Sequence, residues 1–190
     1  MDAIDRIAPR RLDRHRQAAP QVFETLRELI LNLELPPGTV LPRAELAQRY
    51  GVSQTPVRDA LMKLGEEGLV DIFPQHATLV SRIDMSAALQ AHFLRRSIEL
   101  ELVHELVQRS EEDLASLTQQ LRRHIVGQSR AHAVQDYASF TEADRAFHQV
   151  LYDAAGMGEL HTLMRRRSGH VDRLRRLHLP SKGKAQSVIR

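Results

Sequence analysis

The chain has no cysteine and no tryptophan, and its 190 residues include only five Phe and three Tyr. Without cysteine it can form neither disulfides nor thiolate metal centres, which fits a reducing cytoplasm and removes the disulfide-stapled class of fold. No apolar run approaches the about 20 residues that a membrane-spanning helix needs, so no membrane partner is expected. The first twenty residues lack the apolar core of a secretory signal and are expected to form a flexible arm. Also missing are a phosphate-binding Gly loop, a dinucleotide fingerprint and a Ser/His constellation, which leaves most enzyme classes without their machinery.

Charge of one sign is scarce where it would be most expected. The formal net charge is +3, yet residues 21–82 hold six Lys/Arg against eight Asp/Glu. Residues 83–164 carry seven basic and twelve acidic residues, and residues 165–190 carry nine basic residues with Asp172 as their one acid. The bland reading of that basic end is the solvated face of a helix; the sharper one is a second nucleic-acid contact.

What is present begins with Gly51-Val52-Ser53-Gln54-Thr55-Pro56-Val57-Arg58-Asp59-Ala60-Leu61. A Gly turn leads into capping residues, then a Pro at a plausible first helical position, then a helix. Val57, Leu61 and Leu64 recur at i, i+4 and i+7 and predict one buried stripe. Arg58 then faces outward, and Asp59 is placed to pair with Lys63. Upstream, Val22, Phe23, Leu26, Leu29, Ile30 and Leu33 predict a helix stopped by Pro36-Pro37-Gly38, and a short helix is expected near Ala44 to Tyr50. Downstream, Leu69, Val70, Ile72 and Phe73, then Pro74-Gln75-His76, then Thr78, Leu79 and Val80 read as a hairpin. Three helices and a hairpin over residues 21–82 make a winged helix-turn-helix, the arrangement that presents its last helix to the DNA major groove. A winged helix used for protein contact is the rival reading.

Residues 41–80 resemble the N-terminal domain of GntR-family bacterial transcription factors. The resemblance runs through Leu46-Ala47, Gly51-Val52-Ser53, Thr55-Pro56-Val57-Arg58, Ala60-Leu61, Leu64 and Gly68-Leu69-Val70. It implies DNA contacts from Ser53, Thr55 and Arg58, and Arg43, Gln54, Lys63 and His76 complete the candidate interface. Three positions depart from the family pattern. Gln54 stands where Arg is usual, Arg43-Ala44 where Glu and Arg are usual, and Ala77, beside His76, replaces the wing-tip Gly. Gln54 can read adenine where Arg would read guanine.

After Arg82-Ile83-Asp84 the apolar spacing is helical throughout and predicts a helical domain over residues 85–190. Expected are a long helix to about Gln108, a helix capped at Ser110 and ending at Gly127, a helix from about Ala133 to Asp153, and a last helix ended by Pro180. Such a set suits an antiparallel bundle, so the fold class is mainly α with a small β-hairpin wing. Phe93-Leu94-Arg95-Arg96-Ser97-Ile98-Glu99 and the run Asp144 to Gly156 resemble the FCD sensor domain of the FadR-like branch of GntR regulators. Met157 replaces the family's usual Asn, and the resemblance implies two further helices after the equivalent of Arg190.

Asp144 and His148 lie four residues apart, stacked on one helix face with Tyr137, Thr141 and Leu151. Carboxylate plus imidazole at that spacing is half of a Zn²⁺, Ni²⁺ or Mn²⁺ site, and an Asp–His hydrogen bond inside a helix is the plainer reading. The FCD resemblance implies a divalent metal on this Asp and this His with two later His, which would fall after residue 190. Arg95 matches a family Arg facing the ligand cavity, where it could clamp a carboxylate; the plainer reading pairs it with Glu99. His124, His132, His161 and His170 show no ligand pattern and are expected at the surface.

Together these readings predict a cytoplasmic, metabolite-responsive transcriptional regulator, a repressor by the family's habit. It would act as a homodimer on double-stranded DNA with a two-fold symmetric operator, controlled by a small carboxylate. A DNA-binding fragment with a silent sensor and a metal-dependent hydrolase are the alternatives.

Overall fold

A computed structural model describes residues 12–180, which divide into two compact units between Met85 and Ser86. In the first, α1 (Ala18–Leu31) buries Val22, Leu26 and Ile30 completely. Residues 18–20 of the expected arm belong to a helix instead. Ala18 already begins α1, and Gln21 ties down the turn before it, accepting from the Asp13 amide at 2.8 Å and donating to the Asp13 carbonyl at 2.9 Å. Arg6, Arg10 and Arg11 of that arm lie outside the described residues. Helix α1 also stops before the prolines, with Leu33 past its end at φ 62°.

Helix α2 (Arg43–Tyr50) ends at Gly51, whose φ of 65° is the left-handed conformation that glycine adopts without steric cost. Helix α3 (Gln54–Glu66) buries Val57, Ala60, Leu61 and Leu64 against α1 and α2. It begins two residues earlier than its proline suggests. Pro56 is the third helical residue, still within the turn whose N–H groups have no intrahelical partner.

Strands β1 (Val70–Phe73) and β2 (Ala77–Val80) pair antiparallel, from Val70 opposite Val80 to Phe73 opposite Ala77. Val40 bridges to Leu79, and the Leu41 amide donates to the Thr78 carbonyl at 2.8 Å. The wing is thereby tied to the segment that leads into α2.

The second unit is helical: α4 (Met85–Leu106), α5 (Glu111–Ala133), α6 (Tyr137–Ala154), α7 (Gly158–Arg167) and α8 (Gly169–His178). Ser110 caps α5 as expected, accepting from the Asp113 amide. Gly127 does not end that helix. It lies inside α5 where α5 packs on α6, and a Cβ added there would meet the Ala143 Cβ at 3.5 Å. The single last helix expected before Pro180 is two, divided at Ser168, whose hydroxyl turns back to the Met164 carbonyl at 2.8 Å. Leu102 and Leu106 of α4, Leu151 and Tyr152 of α6 and Met164 of α7 form the principal core.

Candidate nucleic-acid interface and sensor cavity

On the first unit, a cleft of about 470 Å³ separates the helix pair from the wing. Arg43, Gln54 and Arg58 line its helical wall, and Ile72, Phe73 and His76 line its wing wall. The sequence expectation thus converges for four of seven residues. Ser53, Thr55 and Lys63 are exposed outside this cleft. Ser53 occupies the N-cap position of α3, but its hydroxyl makes no capping bond, contrary to expectation.

Pairing within the unit decides which cations face outward. Arg27 donates to Glu67 at 2.6 Å in a nearly buried pair, and Arg49 donates to Glu45 at 2.9 Å. Asp59 lies 3.6 Å from the Arg58 Nε rather than pairing with Lys63. That contact is long and solvated, so it holds Arg58 weakly, and the Arg58 side chain remains 60% exposed.

In the second unit an ion chain crosses three helices. The Arg175 Nη1 of α8 donates to the Asp144 Oδ2 of α6 at 2.7 Å. The other Asp144 oxygen lies 3.8 Å from the His148 Nε2, too far for the expected Asp–His hydrogen bond. The His148 Nδ1 instead lies 2.9 Å from the Glu99 Oε1 of α4, close in distance but not aligned as an N–H···O bond. Glu99 also accepts from the Arg95 Nε at 2.8 Å. The Asp144 side chain is 6% exposed, so burial opposes its ionisation, but the Arg175 guanidinium outweighs burial and holds the carboxyl below its usual range. Burial likewise opposes the charge on Glu99, and His148 and Arg95 overcome it.

A small cavity of about 30 Å³ adjoins this chain, walled by Arg95, Glu99, Arg145, His148, Tyr152 and His161 among others. The Tyr152 hydroxyl is buried without a hydrogen-bond partner among the described residues. Burial and the neighbouring Glu99 push its pKa up to about 12. The His161 ring stacks tilted on Tyr152 at 5.2 Å, and burial, then Arg165, lower its pKa. His161 therefore belongs to the cavity rather than the surface. His170 is buried too, its Nδ1 3.0 Å from the Arg173 guanidinium, and His124 and His132 are partly buried.

Sequence reasoning found Arg95, Asp144 and His148 but missed Tyr152, Arg145 and Arg175. Tyr152 follows the core residue Leu151 on α6 and carried a detectable signal, a phenol on the same helix as Asp144 and His148. Arg175 lies in a run of similar arginines, where nothing in the spacing singles it out.

Two family models match this chain. The GntR family of bacterial regulatory proteins matches residues 18–80, and the FCD domain matches residues 90–190. The chain belongs to the GntR family. It is 41% identical over 158 residues to an uncharacterized HTH-type transcriptional regulator from an unstable DNA locus of Streptomyces ambofaciens, covering 83% of this chain. The chain spans 65% of that relative's length. The HTH-type transcriptional repressor RspR of Escherichia coli is 32% identical over 155 residues, 82% of this chain and 67% of that protein.

Among solved structures, a putative GntR transcriptional regulator from Rhodococcus sp. RHA1 shares the fold with a TM-score of 0.73. It is 19% identical, with 90% of this chain and 82% of that one covered. McbR/YncC of Escherichia coli matches with a TM-score of 0.69 at 22% identity, over 88% of this chain and 77% of that one. Among the described residues of this GntR chain, no helix is long and apolar enough to cross a membrane.

The metal implied by the FCD resemblance does not fit the side chains present. Among the described residues, no group of three or more His, Asp or Glu side chains is placed to hold one metal ion. Glu99 faces the ring nitrogen opposite the one nearer Asp144, so the two carboxylates cannot share one ion with this imidazole. The cation beside Asp144 is Arg175.

Proposed function

We propose that this GntR-family chain is a cytoplasmic DNA-binding transcriptional repressor that reads a two-fold symmetric operator as a homodimer. The observation that carries the proposal is the convergence of Arg43, Gln54, Arg58 and His76 on one cleft between α3 and the wing. Helix α3 would enter the major groove. Gln54 and Arg58 would read base edges, Ser53 and Thr55 would meet the backbone at its start, and Lys63 and Arg43 would contact phosphate. Repression is supported by the name of RspR, to which the chain is similar.

Pairing of two copies is supported by α4. Leu89, Phe93, Leu100 and Val103 fall on one side of it and all are exposed, Phe93 by 71%, with Arg96 between Phe93 and Leu100. Apolar side chains gathered on one exposed face favour contact with a second copy.

The helical unit would sense a small carboxylate at Arg95, with the free Tyr152 hydroxyl as a second donor. One observation favours a silent sensor as the second reading. Arg95 is already bonded to Glu99, and a cavity of about 30 Å³ has room for little more than one water. A ligand therefore has to open the Arg95–Glu99 contact. No catalytic step is part of the proposal.

Reciprocity tests the coupled reading. A carboxylate that changes operator affinity must have its own affinity changed by the same factor when operator is added, as isothermal titration in both orders would show. A carboxylate that binds equally with and without operator would leave the silent sensor.

A further inference from the structure

The carboxylate–imidazole pair of α6 has been supplied with a cation from within the chain. Asp144 is almost fully buried, and a carboxylate in that setting needs a partner charge to remain ionised. Arg175 meets this need at 2.7 Å, and the interaction is mutual. Burial opposes the guanidinium charge, while Asp144 and then Asp172 favour it and raise the Arg175 pKa. Arg145, one residue after Asp144, extends the cluster by reaching the Asp172 of α8 at 3.6 Å. Two guanidinium–carboxylate contacts, running in opposite directions, therefore join α6 to α8.

We propose that Arg175 is the resident cation of this site, and that the FCD unit of this chain holds α8 on α6 without a divalent metal. A metal would have to displace a guanidinium already hydrogen-bonded to Asp144, and among the described residues would gain only the His148 Nε2 as a second donor. Two donors hold a divalent ion poorly where tetrahedral or octahedral sites ask for three or more. A guanidinium keeps its charge at every physiological pH and brings its own tether. The α6–α8 contact is thus built in rather than conditional on metal supply.

The test uses the 190-residue chain purified without chelator. Metal content is measured by mass spectrometry, and thermal melting is followed alone, with EDTA, and with millimolar ZnCl₂, NiCl₂ or MnCl₂. The expected result is a far substoichiometric metal content and a melting temperature moved by neither EDTA nor metal. About one metal per chain, or a metal-dependent rise in melting temperature that His148→Ala abolishes, would overturn the proposal.

A double-mutant cycle tests the pair itself. Arg175→Met strands the buried Asp144 carboxylate and is expected to lower the melting temperature by about 10 °C or more, and Asp144→Asn, which leaves a part-exposed Arg175 still near Asp172, by less. The double variant should recover most of the loss, because neither charge is then stranded. Losses that simply add in the double variant would show that the two side chains do not depend on each other, against the proposal. If a single variant fails to fold, the metal content and melting of the unaltered chain still decide.

Discussion

Gln54 stands on the helical wall of the cleft, exposed in the first turn of α3, where the family pattern has Arg. Bidentate amide contacts suit adenine and bidentate guanidinium contacts suit guanine. Gln54→Ala is therefore expected to weaken operator binding by about 1–3 kcal/mol and relax preference at one base pair. Gln54→Arg should move that preference from A·T toward G·C, as competition among base-substituted duplexes would reveal; an unchanged base preference would count against the contact. At the same scale, Asp144 ties stability to acid pH. Its folded pKa is depressed, so its contribution is fully present above the ordinary carboxylate pKa and is lost as pH falls through the depressed value. The acid limb of the stability profile should be steeper in the unaltered chain than in Asp144→Asn. Equal slopes in chemical denaturation across that range would remove Arg175 as the cause. The sequence placed Asp144 and His148 on one inward face by spacing alone. It could not find Arg175, because the partner lies 31 residues away and no local period connects the two.

Among elements, glycine separates what spacing can and cannot reveal. Gly51 was legible as the end of α2, since a polar stretch and a new apolar period follow it. Its positive φ makes Gly51→Ala costly, by about 1 kcal/mol. Gly127 reads as the end of a helix by the same rule, yet packing of α5 on α6 carries the helix through it. At Gly127 a new Cβ would meet Ala143 at 3.5 Å, an ordinary contact, and helix propensity favours alanine. Gly127→Ala is thus expected to stabilise the chain by about 0.5–1 kcal/mol, measured by urea denaturation, while Gly51→Ala destabilises it. Both variants falling together would mean that the α5–α6 contact tolerates no added atom. The helix-turn-helix was legible because its turn residues, caps and apolar stripe are local. The break between α7 and α8 was not, because it falls at Ser168-Gly169, inside a stretch whose apolar residues carry no interruption of period.

For the whole molecule, charge and apolar surface set two expectations. With Arg27 and Arg49 engaged by Glu67 and Glu45, and Arg58 directed to a base, Arg43 and Lys63 are the cations left on α2 and α3 to meet phosphate. Two copies then neutralise about four phosphates, and log K should fall against log salt with a slope of about −4. A slope near −10 would mean that residues outside this face, such as the basic segments at either end, carry much of the binding. Pairing through α4 predicts that Phe93→Glu converts a dimer to a monomer in sedimentation velocity without loss of helical circular dichroism. A dimer that survives the substitution would place the interface elsewhere.

Whether α3 and the wing read DNA sequence is decided by in vitro selection from random duplexes, run in parallel with the 190-residue chain and its Arg58→Ala variant. The unaltered chain is expected to enrich an inverted repeat whose half-sites lie about one helical turn apart, and Arg58→Ala to lose that enrichment. Enrichment of no sequence by the unaltered chain, or of the same repeat by both proteins, would contradict sequence reading by α3 and the wing.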